Sequence, residues 1–103
     1  MAIFTPVTDL APGQTNHYDR RTSIVAALKA ITRGHQVATI AIQCSVGCLV
    51  GKVIAPTVAR TETGYAISGQ LSTGRPGVFI YHTDGQTPRG EELTSVSSIA
   101  VTA

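Results

Sequence analysis

The run Asn16-His17-Tyr18-Asp19-Arg20-Arg21-Thr22-Ser23-Ile24-Val25-Ala26-Ala27-Leu28-Lys29-Ala30-Ile31-Thr32-Arg33-Gly34 decides the fold, because beyond it the chain changes period. Ile24, Ala27, Leu28 and Ile31 fall at i, i+3, i+4 and i+7, which is one apolar stripe of a helix. Asn16 offers a side-chain acceptor of the kind that starts a helix, and Asp19 three residues later suits the positive first turn. Gly34 stands where a left-handed residue closes a helix. The spacing therefore predicts a helix from His17 to Arg33, capped by Asn16, with Thr22, Lys29 and Arg33 off the apolar stripe.

After Gly34 the period becomes two. From Gln36 to Cys44, Val37, Thr39 and Ala41 alternate with Ala38, Ile40 and Ile42, so both faces are fairly apolar, as in a strand covered on both sides. Ser45-Val46-Gly47 turns the chain, and Cys48 to Ile54 returns with Gly51 in mid-strand. An interior glycine predicts a bend or bulge, and Pro56 confines its neighbourhood to an edge or a bulge. Glu62-Thr63-Gly64 is the next turn, before a strand at Tyr65–Leu71; Ser72 to Gly77 is a loop. Val78–His82 is a strand, Thr83–Glu92 a polar turn and Ser95–Val101 the last strand. The expected fold class is mainly β with one N-terminal helix: a small, strongly bent five-stranded antiparallel barrel with the helix plugging one end. Residues 1–15, with Pro6, Pro12 and Gly13, read as an extended N-terminal arm that covers its own barrel edge or reaches a neighbouring subunit. Residues 16–103 make a single domain.

This order resembles the Sm-like (LSm/Hfq) family over residues 17–101, within the broader SH3-like class of small barrels. Gly34-His35-Gln36-Val37 is similar to the family's G-x-x-V entry to the first strand, Gly47 and Gly51 flank the second strand, and Arg89-Gly90-Glu91-Glu92-Leu93-Thr94-Ser95-Val96 is similar to R-G-x-x-Φ-x-x-Φ. The resemblance implies a ring of subunits joined by strand–strand pairing. The two glycines stand one residue closer than in the family, and Val53-Ile54-Ala55-Pro56-Thr57 occupies the place of its Asp-x-x-x-Asn-Leu loop. A Tyr-Lys-His triplet is also missing, so the resemblance implies an assembly more than it implies a ligand.

Composition narrows the class further. Of the 103 residues 43% are hydrophobic and only 14% charged, against roughly 25% charged in typical soluble domains. So weakly charged a surface is suited to burial against copies of the same chain. A net charge of +2 does not by itself indicate nucleic acid. The basic residues are nevertheless uneven: Arg20, Arg21, Lys29 and Arg33 crowd the expected helix, and Arg60, Arg75 and Arg89 lie in expected loops. Of these, Arg20, Arg21, Lys29, Arg33, Arg60 and Arg89 are the candidate nucleic-acid contacts. Tyr65, Phe79 and Tyr81 alternate within strands and read as core. No apolar run is long enough for a membrane helix, no secretion signal is visible, and a cytoplasmic location is the default expectation.

Motifs for chemistry are sparse. Cys44 and Cys48 flank one turn and could bond to each other, supply two zinc ligands or remain as buried thiols. The only histidines, His17, His35 and His82, are scattered, and spacing motivates no acid–base pair, nucleophile or phosphate loop. The expectation is a non-enzymatic binding or assembly module without catalytic residue, metal or cofactor. Its first partner is itself, as a homo-oligomer formed by edge-strand pairing. RNA or single-stranded nucleic acid is the alternative partner, and a small structural subunit of a larger assembly, such as a viral particle, is the third reading.

Overall fold

A computed structural model of the chain describes residues 5–19, 24–44, 49–62, 64–82 and 96–103. Its elements in chain order are a short 3-10 turn Val7–Asp9, β1 (Thr15–Asp19), α1 (Ile24–Thr32), β2 (Thr39–Cys44), β3 (Leu49–Arg60), β4 (Gly64–Leu71), β5 (Pro76–His82) and β6 (Val96–Thr102). The strands form one open, wholly antiparallel sheet in the order β1-β6-β2-β3-β4-β5. The expected closed barrel of five strands is thus corrected to an open sheet of six, since the outermost strands β1 and β5 do not meet. Because β1 and β2 each run antiparallel to β6, they are parallel to one another, and α1 carries the chain from one to the other across β6.

The expected helical start is also corrected. Thr15–Asp19 is a strand, and the described helix begins at Ile24, not at an Asn16 cap. Extended backward, the apolar stripe of Ile24 would fall on Arg21, Arg20 and His17, none of which can be buried against a core. Thr15–Asp19 obeys period two instead, with Tyr18 fully buried and Thr15, His17 and Asp19 exposed. From Ile24 onward the stripe is as read: Ile24, Ala27, Leu28 and Ile31 are the buried residues of α1. The helix closes on Gly34 (φ +109°). The His35 N–H reaches back to the Ala30 carbonyl (3.2 Å) and the Gly34 N–H to the Ile31 carbonyl (3.1 Å), the paired bonds of a Schellman end that satisfy carbonyls the helix leaves open.

The helix packs against the sheet face that bears Tyr18 (β1), Ile99 and Val101 (β6), Ile40 and Ile42 (β2), Val53 and Val58 (β3), and Tyr65 and Ile67 (β4), all buried. Register places these in rows, for example Tyr18–Ile99–Ile42 and Val58–Ile67–Phe79. The N-terminal segment also joins this core: Val7 and Leu10 are buried, and the Tyr18 hydroxyl donates to the Thr5 carbonyl (2.8 Å). The described part of the arm therefore packs on its own chain.

β3 bends the sheet. Its residues 49–54 pair with β2 and 53–60 with β4, so that Val53 and Ile54 are paired on both sides, and each pairing contains a one-residue slip. One slip leaves Val50 extra beside Gly51; the other lies between Ile54 and Thr57, where Ala55 takes φ +50° next to Pro56. Both irregularities fall where glycine and proline signal them in the sequence. Gly51 has a second reason to lack a side chain, because a Cβ there would lie 2.5 Å from Cζ of Phe79, the ring that reaches across from β5.

We expect Gly51→Val to destabilise the fold by about 1–3 kcal/mol through overpacking, with partial recovery when Phe79→Leu is added, read by denaturant titration. The Tyr18 phenol provides a pH test. Burial raises its pKa above 10.0, and the Asp9 carboxylate adds to this, while a side-chain hydrogen bond with Asn16 acts the other way. The stabilisation is fully present below about pH 10 and is lost as pH rises toward the higher folded-state value, because only the unfolded chain then releases the proton easily. Wild type should lose more thermal stability between about pH 9 and 12 than Tyr18→Phe, in which that proton is absent.

Candidate interaction edge

An open sheet has two edges, and here they differ. On β1, Gln14 lies opposite Ala103, whose N–H it accepts (3.0 Å). Alternation along an antiparallel ladder then points the backbone groups of Thr15, His17 and Asp19 away from β6. The central outward N–H, that of His17, donates to Asn16 Oδ1 (3.0 Å). β1 is five residues long and carries Asp19. Shortness, a charge and an occupied central donor are the devices by which proteins protect a sheet edge.

β5 is longer and uncharged, and Pro76 at its start is the one such device that it carries. Leu71 donates its N–H to the Arg75 carbonyl (2.7 Å) at the head of the β4–β5 hairpin, which makes Gly69/Gly77, Ile67/Phe79 and Tyr65/Tyr81 the bonded pairs. The N–H and C=O groups of Val78 and Ile80 therefore face outward, and among the described residues no strand lies beyond them. The seven residues Pro76–His82 include no Asp, Glu, Lys or Arg. Pro76, which has no N–H to donate, occupies an outward position where none is needed within the chain. Val78 is 63% exposed, the most exposed large apolar side chain among the described residues. Phe79 and Tyr81 point the other way and pack against the core, as their alternation predicts, so the strand is held firmly on one face while its rim is open.

The predicted nucleic-acid residues are only partly placed. Lys29 and Arg33 are exposed on and just past α1. Arg60 ends β3, where its guanidinium stacks over the Tyr65 ring (5.1 Å to the centroid) and donates to the Tyr65 hydroxyl (3.1 Å), a cation–π contact within the chain. Arg20, Arg21 and Arg89 lie outside the described residues, as do Cys48 and the Cys44 side chain.

A cleft of about 290 Å³ lies between the helix end and the β3 bulge, lined by Ile31, Thr32, His35, Pro56 and Val58 among others, with His35 as its one titratable group. Among the described residues no three His, Cys, Asp or Glu side chains cluster as metal ligands, and no helix is long and apolar enough to cross a membrane. Loop and helix cations are the plainer signal in the sequence; that of the β5 edge is the uncharged run Pro76–His82. Comparison with protein-family models, curated proteins and solved structures finds no match to this chain.

Proposed function

We propose that the protein is a non-enzymatic assembly module whose copies pair through the β5 edge. The observation that carries this reading is the contrast between the two edges: one is five residues long, charged and self-capped, while the other is seven residues long, uncharged and without a further strand among the described residues. Antiparallel pairing of two copies about Phe79 sets Val78 opposite Ile80 of the second copy, both with outward backbone groups, and His82 opposite Pro76. The four Val78 and Ile80 groups on each side then find partners, and Val78 stacks beside Ile80 of the other copy. Such a contact is isologous and closes at two. A head-to-tail ring of the Sm-like kind would have to use β1, the protected edge. A role as a structural subunit of a larger assembly is compatible with the same edge.

Nucleic-acid binding is the competing reading, resting on exposed Lys29 and Arg33. Arg60 contributes less to it, because its guanidinium is held by Tyr65. The pairing reading has a clean test in Val78→Pro, which removes an outward N–H and leaves the β4–β5 ladder bonds in place. Light scattering after size exclusion should give a multiple of the 10.7 kDa chain mass for wild type and the single-chain mass for Val78→Pro, with circular dichroism unchanged. A monomeric wild type at about 100 μM (an affinity limit of roughly 5–6 kcal/mol) would remove this reading. Salt-sensitive binding of a uridine-rich oligonucleotide, lost in Lys29→Ala/Arg33→Ala, would favour the competing one.

A further inference from the structure

The cleft beside the helix end occupies a seam in the sheet. β2 begins at Thr39, opposite Ile54, and the pairing closes with the Ala55 N–H bonded to the Ala38 carbonyl (2.9 Å). From there β3 runs on through Pro56, Thr57 and Val58 with β4 as its one neighbour among the described strands. On this stretch the Thr61 N–H donates to the Gly64 carbonyl (2.8 Å) and Arg60 lies opposite Tyr65. Alternation then makes Ala59/Ala66 and Thr57/Ser68 the bonded pairs, so the N–H and C=O of Val58 turn away from β4. They turn toward the cleft, which Val58 lines and whose other wall is Ile31, Thr32, His35 and Gln36. Val58 is buried, and a buried backbone donor and acceptor normally have partners.

Three further features surround those two groups. His35, half-buried, supplies the one aromatic ring among the lining residues, and its own N–H is anchored to the Ala30 carbonyl. Gln36 beside it is exposed and adds an amide that both donates and accepts. Lys29 lies three residues before Thr32 on the helix surface and Arg33 directly after it, so two exposed cations flank a lining residue. None of the acids among the described residues, Asp9, Asp19 and Glu62, lines the cleft. Its volume, about 290 Å³, stands at the lower limit of ligand pockets, roughly 300 Å³. That is room for one ring system.

We infer that this cleft is a nucleotide site: one base enters it, and Lys29 and Arg33 hold the phosphate outside. A base edge carries a donor and an acceptor side by side, which is what the Val58 carbonyl and N–H require and what a neighbouring strand would have supplied. The base face stacks on the His35 imidazole, and the Gln36 amide bonds a second position on the edge. A purely apolar ligand would leave the Val58 groups unpaired and gain nothing from the cations. A simple anion would use the cations and leave the cleft empty. The nucleotide is free or belongs to a single-stranded RNA, because in a duplex the base edge is already engaged. The site shares its cations with the nucleic-acid reading and no residue with the β5 edge, so it stands whether or not copies pair.

Uridine 5′-monophosphate and hexauridylate are the probes, followed by calorimetry and by hydrogen exchange at the Val58 amide. In the free protein this N–H should exchange about tenfold or more faster than those of Thr57 and Ala59, which bond to β4. Saturating probe should slow it by about the same factor. His35→Ala should weaken both probes about tenfold, near the low end of one base stack, with circular dichroism unchanged. Lys29→Ala/Arg33→Ala should lower the salt slope of hexauridylate binding by about 1.4, two contacts at roughly 0.7 each. Equal affinity for the two probes assigns a free nucleotide, and tighter hexauridylate binding assigns single-stranded RNA. Val58 exchange unmoved by either probe at about 5 mM (the range of the weakest specific binding) would overturn the site. So would hexauridylate binding that needs both cations and ignores His35→Ala, since the helix would then be an open phosphate-binding face.

Discussion

The pairing of β6 with both β1 and β2 is the constraint on which the rest of the molecule depends. Among the described residues β1 pairs with β6 alone, with Thr15 opposite Thr102 and their hydroxyls 2.7 Å apart. The last strand must therefore be in place before the first has a partner. The same insertion sets the span that α1 must cross, brings Tyr18 beside Ile99, and lets Gly13 and Gln14 bond the C-terminal Ala103. Contacts of such sequence separation are slow to form because the loop-closure entropy precedes the reward. The helix and the β4–β5 hairpin are the local structures available to organise the chain earlier.

Once β6 is seated, the curvature comes from β3. A twelve-residue strand that changes partner halfway cannot stay straight, and its two slips absorb the change at Val50 and at Ala55-Pro56. The turn of the sheet lets Phe79 reach Gly51 across an intervening strand. That contact fixes β5 from its inner side.

Much of this was legible locally. The stripe Ile24, Ala27, Leu28, Ile31, the glycine end at Gly34, the bulge signals at Gly51 and Pro56, and nearly the whole spans of β4 and β6 depend on neighbours within a few residues, whereas β5 starts at Pro76, inside the loop expected over Ser72–Gly77. The helix start is ambiguous in the sequence because Asn16 and Asp19 imitate a cap, while the residue that decides the matter, Tyr18, takes its place in the sheet through pairing with Ile99, 81 positions away. Openness was equally hidden: five or six short strands satisfy the same pattern whether or not the outermost two meet.

The sequence by itself determined a mainly β domain with one helix, the positions of its bends and its weak charge, since these follow from periodicity, backbone preference and composition. Only the tertiary structure decided that Thr15–Asp19 is a strand, that β6 lies between β1 and β2, and that β1 and β5 are the outermost strands among the described residues. Each of those depends on which groups remain unpaired after all the strands are placed, and an unpaired group is a property of the whole sheet.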